Sequence, residues 1–412
     1  MGRPHLESDR ITVIGAGPRF LSGMSYYTLR LTNALASRHH VSAILMRQLI
    51  PSRWYPGRSR IGAPLTAQRY AHDVKVLDGV DWYWLPSMLR AIRQLIAERP
   101  TVVLFQWWTG SVLHSYVLLA LVARALGARI VVEFHEVLDT AEANMPVVGI
   151  YVRLVSPLLM RLADGFVVHS KFDLPDVRRH YALGRRPVSV IPHGPYDHHR
   201  PTSDIPPMRS APAGAVNLLY LGVIRPFKGV EDLVAAFDGI PPDEINRYWL
   251  TVVGETWENW SLPGEMIHRS RYRDRITFVN RYVSDDELTE ALAGADAVVL
   301  PYHRSSASGP LHTAMSLGLP VVVTAVGGLP EAAGDYEGAI FVPPRDPERL
   351  RSAIAEVAEQ RGRRYPDPHS WDRTVARYEA LFQRLGRARA RARPGAAGDA
   401  RSDADGHQET AA

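Results

Sequence analysis

The stretch AVVLPYHRSSASGPLHTAMSLGLPVVVTAVGGLPE, residues 297–331, places a polar loop and a helix-like segment between two apolar runs. Neither run, Ala297–Leu300 nor Val321–Thr324, alternates with polar residues, so both are predicted to be buried parallel strands. The Ser-Gly-Pro sequence at 308–310 supplies a capping residue and a proline where a helix begins, and Gly318 follows where it ends. Strand, helix and strand in this order predict an α/β fold.

The same stretch predicts an anion site. A helix that follows a loop rich in Ser and Gly offers free backbone N–H groups and the positive end of its dipole. Both loops, before residue 310 and after residue 324, are expected at the carboxyl edge of the sheet, where open α/β sheets bind ligands. An ordinary strand–helix–strand unit with a well-capped helix would show the same pattern, so this alternative stays open.

The composition limits the classes of protein to which the chain can belong. A chain of 412 residues with 46% apolar and 22% charged residues is long enough for two globular domains. The absence of cysteine excludes disulfides, thiolate zinc sites and cysteine nucleophiles. No apolar segment opens the chain, and the run at 112–123 is too short to cross a bilayer, so a cytoplasmic protein is predicted.

The N-terminal half begins like a Rossmann domain but lacks the dinucleotide fingerprint. A strand at 11–14 runs into Gly15-Ala16-Gly17, yet Phe20 occupies the third glycine position. Arg47, instead of an acidic residue, ends the second predicted strand. A dehydrogenase is therefore not expected.

Three further features of this half allow more than one interpretation. A strand at 130–134 delivers His135 and Glu136 to the carboxyl edge, where a histidine is a candidate base, electrophile or substrate ligand, or simply a hydrogen-bonded loop residue. An amphipathic helix at 150–162 is expected to pack on the sheet rather than on a membrane. The loop at 47–69 mixes arginines with aromatic residues, but no nucleic-acid-binding module accompanies it, so no nucleic acid is predicted as a partner.

A second Rossmann-like half follows a linker without periodicity at 196–215. Arg225 and Lys228 lie just before its first helix, where two cations would grip a pyrophosphate. Solvated surface charges are the other reading of this pair. Two such halves predict a cleft between two carboxyl edges, and hence group transfer from a nucleotide-activated donor.

The motifs now described resemble the family 4 glycosyltransferases, which have two Rossmann-like domains facing each other across a cleft (the GT-B architecture). The resemblance is densest in the second half. Its quotable segments are VVHSKFD (167–173), VIPHGPYD (190–197), YLGVIRPFKGVEDLVAAF (220–237), ADAVVLPYHRSSASGPLHTAMSLGLPVVVT (295–324) and GGLPE (327–331).

The resemblance implies a domain organisation. It comprises an acceptor-binding domain at 1–195, the linker, a nucleotide-sugar-binding domain at 216–370, a helix at 371–386 that crosses back to the first domain, and a disordered tail at 387–412. It also implies a hexosyltransferase that moves a sugar from a nucleotide-diphosphate sugar to an acceptor hydroxyl, with retention and without a metal cofactor. Polysaccharide, glycolipid or other glycoconjugate synthesis in a bacterial cell envelope is the expected setting. The acceptor is left open as a sugar, a lipid-linked molecule or a small molecule, and so is peripheral contact with the inner face of the membrane.

Site residues follow from the same resemblance. Arg225 and Lys228 would hold the diphosphate leaving group, and His135 would lie near the sugar and acceptor. Ser22, Gly23 and Glu136 would line the cleft. The expected donor-binding residues are Gly222, Gly254, Glu255, Ser305, Ser306, Ser308, Gly309, Pro310, Leu311, Thr313, Gly327, Gly328 and Glu331.

One departure from the family pattern leaves alternatives open. The family usually has two glutamates flanking this loop and helix, and Ser305 and Thr313 occupy those positions here. The replacement favours a catalytically silent subunit as one alternative. A nucleotide-sugar epimerase is another, for which the acid/base candidates would be Glu136, Glu255 and Glu331.

Overall fold

The chain forms two parallel sheets, each flanked by helices. The computed structural model describes residues 9–18, 23–48, 68–81, 85–136, 146–199 and 211–391. The first sheet has seven strands in the order β3-β2-β1-β4-β5-β6-β7, and the second has six in the order β10-β9-β8-β11-β12-β13. In each sheet the order reverses beside the first strand, which is the Rossmann arrangement. The prediction of two Rossmann-like α/β units is confirmed.

The elements of the N-terminal half surround the seven-stranded sheet. In chain order they are β1 (Arg10–Ala16), α1 (Gly23–Ala36), β2 (His40–Gln48), β3 (Lys75–Asp81), α2 (Leu85–Glu98), β4 (Val102–Trp107), α3 (Leu113–Ala125), β5 (Arg129–Phe134), α4 (Pro146–Leu162), β6 (Gly165–Val168), α5 (Asp173–His180) and β7 (Val188–Val190).

The elements of the C-terminal half surround the six-stranded sheet, and a long helix follows them. They are β8 (Val216–Leu221), α6 (Val230–Asp238), β9 (Tyr248–Val253), α7 (Leu262–Arg269), β10 (Ile276–Val279), α8 (Asp285–Ala293), β11 (Ala297–Leu300), α9 (Gly309–Ser316), β12 (Val321–Thr324), α10 (Leu329–Ala333), β13 (Ala339–Val342), α11 (Pro347–Ala358) and α12 (Trp371–Arg391).

The central strands are buried along their whole length, which explains their lack of alternation. Every residue of β4, β8, β11 and β12 is buried, because helices cover both faces of each sheet. In the first half, α2, α3 and α4 pack on one face of the sheet, while α1 and α12 pack together on the other.

Helix α12 crosses back onto the N-terminal half, as the resemblance implied. Its Trp371 Nε1 donates to the carbonyl of Pro195 at 3.0 Å, and Arg129 Nη1 donates to the carbonyl of Phe382 at 2.6 Å. The helix runs to Arg391 rather than ending at residue 386, so the predicted disordered tail does not begin at 387. Arginine and alanine are strong helix formers, and the segment at 387–391 consists only of these two residues.

Two strands were missed in the sequence. The residues of β3 alternate poorly, because it is an edge strand whose first half is mostly exposed. β13 is only four residues long, at the opposite edge of the second sheet. Most of the 47–69 loop, residues 200–210 of the predicted linker and the chain after 391 lie outside the described residues. Within the described ranges, no helix has the length and apolarity needed to cross a membrane.

Candidate functional site

The N-terminus of α9 is built as predicted. Ser308 has an extended backbone, is only 2% exposed, and its Oγ accepts from the backbone N–H of Leu311 at 3.2 Å. Pro310 occupies the first turn, where its missing N–H breaks no helical hydrogen bond. Thr313 is buried one turn further along. The helix therefore begins at the loop–helix boundary that the sequence indicated, with its dipole directed into the cleft side of the sheet.

A glycine turn closes directly onto the serine loop before α9. Gly327 has φ +57°, and a Cβ there would lie 1.8 Å from the carbonyl oxygen of Ser305. A Cβ on Gly328 would lie 2.3 Å from the carbonyl oxygen of Ser306. The backbone N–H of Gly328 donates to Ser305 at 3.2 Å. The two loops that the sequence placed at one sheet edge are therefore in backbone contact, and only glycine allows that approach.

A second glycine contact brings β8 and β9 to the same place. Gly222 has φ +122°, and a Cβ on Gly254 would lie 1.9 Å from the carbonyl oxygen of Gly222. A Cβ on Gly222 would lie 3.4 Å from Cγ of Pro310, in the first turn of α9. The predicted residues at the ends of β8, β9 and β11 thus converge on one edge of the second sheet.

Arg225 precedes a short 3₁₀ turn before α6, and Lys228 is the last residue of that turn. Lys228 Nζ lies 3.7 Å from the centroid of the Tyr302 ring, a cation–π contact, and Ser308 Oγ lies 3.5 Å from the hydroxyl of the same Tyr302. Arg225 packs over Phe227, with 4.9 Å from Cζ to the ring centroid, and pairs with Glu258. Tyr302 therefore links the lysine to the N-terminal cap of α9.

Lys228 experiences charges from both halves of the chain. The pKa of Lys228 is lowered to about 8, chiefly by burial; Glu136 opposes this shift, and the neighbouring Arg225 contributes to it. Glu136 follows β5 in the first half, so the carboxylate that opposes the shift of the Lys228 pKa belongs to the opposite half of the chain. At neutral pH the ammonium group is charged and ready to pair with an anion.

The strand-end histidine lies in a buried polar cluster. His135 Nδ1 is 3.1 Å from His169 Nε2, and His169 Nδ1 donates to the carbonyl of Ile191 at 2.9 Å. Glu133, fully buried in β5, lies 3.5 Å from His135 and 3.4 Å from His169. His135 Nε2 is buried and makes no hydrogen bond to any residue that the structure describes. The imidazole is therefore turned toward the protein interior and forms the floor of the cleft.

Burial and charge set the ionisation of this cluster. Burial acts to raise the pKa of Glu133, but the adjacent His135 and His169 and the hydrogen bond from Tyr378 outweigh it and lower the pKa to about 2. Burial lowers the pKa of His169 to about 4, and the neighbouring His135 adds to this shift. The pKa of His193 also lies well below its usual value, chiefly because of burial. At neutral pH the cluster holds the Glu133 carboxylate beside the neutral imidazoles of His169 and His193.

The cluster has the composition of a metal site. Within the described residues, His135, His169 and His193 each offer a ring nitrogen, and these atoms all lie within 4.8 Å of one another. Neutral imidazole is the form that binds transition metals. The prediction that no metal is needed concerned the transfer reaction itself and stays a prediction.

The two halves touch around the predicted site. Glu331 accepts from the backbone N–H of Lys171 at 2.6 Å, and Ser316 Oγ donates to the carbonyl of Tyr196 at 2.9 Å. The Tyr196 hydroxyl donates to the carbonyl of Gly23 at 3.3 Å, and its ring lies 3.6 Å from the Cβ position of Gly309. Tyr196 thus joins the start of α1 to the start of α9.

Most of the predicted residues converge, but Glu331 and Glu255 have partners of their own. Glu331 contacts the opposite half, as above. Glu255 accepts from Trp257 Nε1 at 2.7 Å. Ser22 lies outside the described residues.

The sequence reading missed Glu133, His169, Tyr196 and Tyr302. A lone acidic residue in the otherwise apolar run of β5 was the signal for Glu133, because buried acids are rare unless paired. The histidines were visible at strand ends, but nothing in their spacing showed that they meet.

Comparison with known proteins assigns the family. Residues 22–194 match the family described as "Glycosyl transferase 4-like domain", and residues 208–374 match "Glycosyl transferases group 1". Together the two matches cover most of the chain. The chain belongs to the glycosyltransferases. The family 4 resemblance is thereby confirmed.

One curated relative of this glycosyltransferase is the D-inositol 3-phosphate glycosyltransferase of Geodermatophilus obscurus. The two are 29% identical over 253 residues, which cover 57% of this chain and 56% of that protein. The chain spans about half the length of the curated relatives it matches.

Solved structures confirm the fold. Sucrose-phosphate synthase from Thermosynechococcus elongatus superposes with a TM-score of 0.62 and 19% identity, over 93% of this chain and 99% of that one. The Anabaena protein HepE, solved in complex with UDP and glucose, superposes with a TM-score of 0.56 and 16% identity, over 93% and 99%. The glycosyltransferase thus has the predicted GT-B architecture.

Proposed function

We propose that this glycosyltransferase transfers a sugar from a nucleotide-diphosphate sugar to an acceptor hydroxyl. The observation that carries the proposal is the junction at Tyr302. There the ammonium of Lys228 and the cap of α9, supplied by Ser308, lie against one ring. A diphosphate needs positive charge and N–H donors together, and this junction provides both.

In the transfer, the bond between the anomeric carbon and the diphosphate oxygen breaks, and a bond to the acceptor oxygen forms. The diphosphate leaves with the electron pair and takes up the proton that the acceptor hydroxyl loses, and its developing charge is stabilised by Arg225, Lys228 and the N-terminus of α9. These groups do the electrostatic work that a divalent cation does elsewhere, so we extend the proposal to transfer without a metal. By the family resemblance we also propose retention at the anomeric carbon.

The acceptor is proposed to enter from the N-terminal half. Glu136 and the buried His135 follow β5 at the carboxyl edge of the first sheet, and the Glu136 carboxylate raises the pKa of Lys228 in the other half. Because the His135 ring points inward, toward Glu133 and His169, contact with a sugar hydroxyl requires the ring to turn or the halves to close. We therefore assign the diphosphate to the two cations and the acceptor side to the floor formed by His135. The UDP bound by HepE supports a nucleoside diphosphate as the donor group.

The first test is thermal unfolding with millimolar UDP, GDP, ADP or NAD. A ligand at 100 times its Kd adds about 2.7 kcal/mol of stability. We expect one nucleoside diphosphate to raise the melting temperature of the wild type, and Arg225→Ala and Lys228→Ala to lose most of that shift. The control is Arg269→Ala, an exposed arginine on α7 that should keep the full shift.

Each other outcome has a defined meaning. Stabilisation by NAD alone would contradict the proposal. Stabilisation by no nucleotide would favour the silent subunit that Ser305 and Thr313 suggested. Formation of a new nucleotide sugar without any acceptor would favour the epimerase.

A further inference from the structure

The apolar side chains that this protein exposes are concentrated on one face. Of twelve large apolar residues exposed in the described part of the chain, nine lie on α2, α3 and α4. We name this surface the α2–α4 face. Its apolar members are Leu85, Leu89 and Ile96 of α2, Leu118 and Leu121 of α3, and Val147, Ile150, Leu154 and Leu158 of α4.

Helix α4 shows the pattern most clearly. Val147, Ile150, Leu154 and Leu158 follow one another at spacings of three and four residues, so they form a single stripe along the helix. Val147 is 79% exposed and Leu154 is 70% exposed. The opposite side of α4 packs into the core. The expectation that this helix packs on the sheet therefore accounts for only one of its two apolar sides.

The three helices form one continuous layer. Helix α3 packs against both α2 and α4, and all three lie on the same face of the first sheet. The outer sides of the three helices are therefore adjacent. Contiguous apolar surfaces of this kind mark interaction sites in soluble proteins.

The charge on this face has one sign. Arg90, Arg93, Arg153 and Arg161 are exposed, and they form no ion pair with any described residue. The three helices contain a single acidic residue, Glu98 in the last turn of α2, which pairs with Lys75 at 2.9 Å. An aliphatic surface bordered by unpaired arginines is complementary to an anionic surface with an apolar layer beneath it.

We propose that the α2–α4 face docks on an anionic lipid surface. The aliphatic side chains would enter the boundary between head groups and acyl chains, and the arginines would reach the lipid phosphates. A protein partner fits less well, because none of the nine exposed apolar residues is aromatic. Tyr and Trp anchors are what protein interfaces concentrate at their centres.

The position of the α2–α4 face determines where docking would place the cleft relative to the lipid surface. Helices α2 and α4 follow β3 and β5, so both begin at the carboxyl edge of the first sheet. The strongly exposed Leu85 and Val147 lie at these helix starts. Docking therefore brings the lipid surface beside His135 and Glu136. Given the proposed function, the acceptor would be a lipid-linked molecule; the docking itself does not depend on that function.

The test is flotation of the full chain with vesicles of phosphatidylcholine containing phosphatidylglycerol, compared with phosphatidylcholine alone. We expect the wild type to float with the anionic vesicles and much less with the neutral ones. Ile150→Glu combined with Leu154→Glu should reduce binding at least about tenfold, because two apolar side chains leave the lipid. Leu262→Glu, on α7 of the other half, is the control and should bind like wild type.

Charge is tested separately. Arg153→Glu with Arg161→Glu should weaken binding to anionic vesicles, whereas Arg269→Glu with Arg273→Glu, exposed arginines of the second half, should not. Wild-type binding at low salt should fall as salt is raised.

Three results would overturn the proposal. One is the absence of flotation by the wild type. Another is undiminished flotation of the I150E/L154E variant. The third is a dimer in solution that this variant dissociates, which would make the face a protein interface. Retention of the nucleotide-induced melting shift by I150E/L154E would show an intact fold and would separate this outcome from a failure of the proposed function.

Discussion

At the scale of single residues, Glu133 is the group on which the floor of the cleft depends. It is fully buried, and its carboxylate accepts from Tyr27 at 2.8 Å, from Gln106 Nε2 at 3.2 Å and from Tyr378. Tyr27 belongs to α1 and Tyr378 to α12, so one carboxylate connects both helices on that face to β5. A buried charge is tolerated only with such a set of donors.

We predict that Glu133→Gln lowers the free energy of unfolding by about 1–3 kcal/mol at pH 7, because an amide group then replaces the carboxylate that accepts from Tyr27, Gln106 and Tyr378. Because the pKa of Glu133 is lower in the folded than in the unfolded chain, its ionised form stabilises the fold at pH values above the unfolded-state pKa. This stabilisation is lost as the pH falls through about 2. Urea unfolding at pH 7 and pH 3 should therefore show a smaller difference between variant and wild type at pH 3. The exposed Glu356→Gln is the control, and an equal loss there would contradict the argument.

At the scale of elements, α9 is held by a cap on one side and by glycine contacts on the other. The Ser308 side chain satisfies a backbone N–H that the helix itself cannot. Gly222 and Gly327 keep the neighbouring loops close enough to form one wall. The same cap chemistry occurs at α8, where Ser284 and Glu287 form a capping box.

This pair of helices offers a matched prediction. Ser308→Ala and Ser284→Ala should each cost about 1 kcal/mol in unfolding free energy, because each removes a helix cap. Only Ser308→Ala should also reduce the melting shift caused by the nucleoside diphosphate, since only α9 is proposed to contact it. Calorimetry with and without the nucleotide measures both effects. An equal reduction of the shift in Ser284→Ala would mean that the cap acts only through global stability.

At the scale of the whole molecule, buried histidines extend from one half to the other. His169 and His193 stack at 3.9 Å between ring centroids, and His312 of α9 lies 5.5 Å from His193 and 5.1 Å from His369. Burial, with smaller effects of His369 and His169, lowers the pKa of His312 to about 3. The junction between the halves is thus lined by imidazoles, of which His169, His193 and His312 are neutral when the chain is folded.

This arrangement predicts acid sensitivity. Unfolded histidines bind protons near pH 6.5, whereas His169 and His312 do so only near pH 4 and 3 in the folded chain. Stability is therefore complete above about pH 6.5 and is lost as pH falls toward 4, by about 1.4 kcal/mol per pH unit for each such histidine. Urea unfolding at pH 7.5, 6 and 5 checks this slope. His312→Met should reduce the slope of unfolding free energy against pH by the contribution of one histidine. The control, the exposed His268→Met, should leave the slope unchanged. An unchanged slope in His312→Met would contradict the prediction.

The sequence alone determined the features that depend on neighbouring residues. Apolar runs predicted the buried strands β11 and β12, Ser308 predicted the start of α9, and the motifs placed Arg225 and Lys228 before α6. Each of these reflects local periodicity, capping or loop chemistry. The resemblance then extended them to the two-domain fold.

The tertiary structure alone decided which distant residues meet. The order of strands places β5 beside β6, and only this brings His135 to His169 around Glu133. Packing also decided that one apolar side of α4 stays exposed. The sequence of a helix with two apolar sides does not show which of them the sheet covers. The edge strand β3 was missed in the sequence because partial exposure removes the continuous apolar run that marks a buried strand. Local patterns report what a segment prefers, whereas contacts between segments depend on the order in which the sheet assembles them.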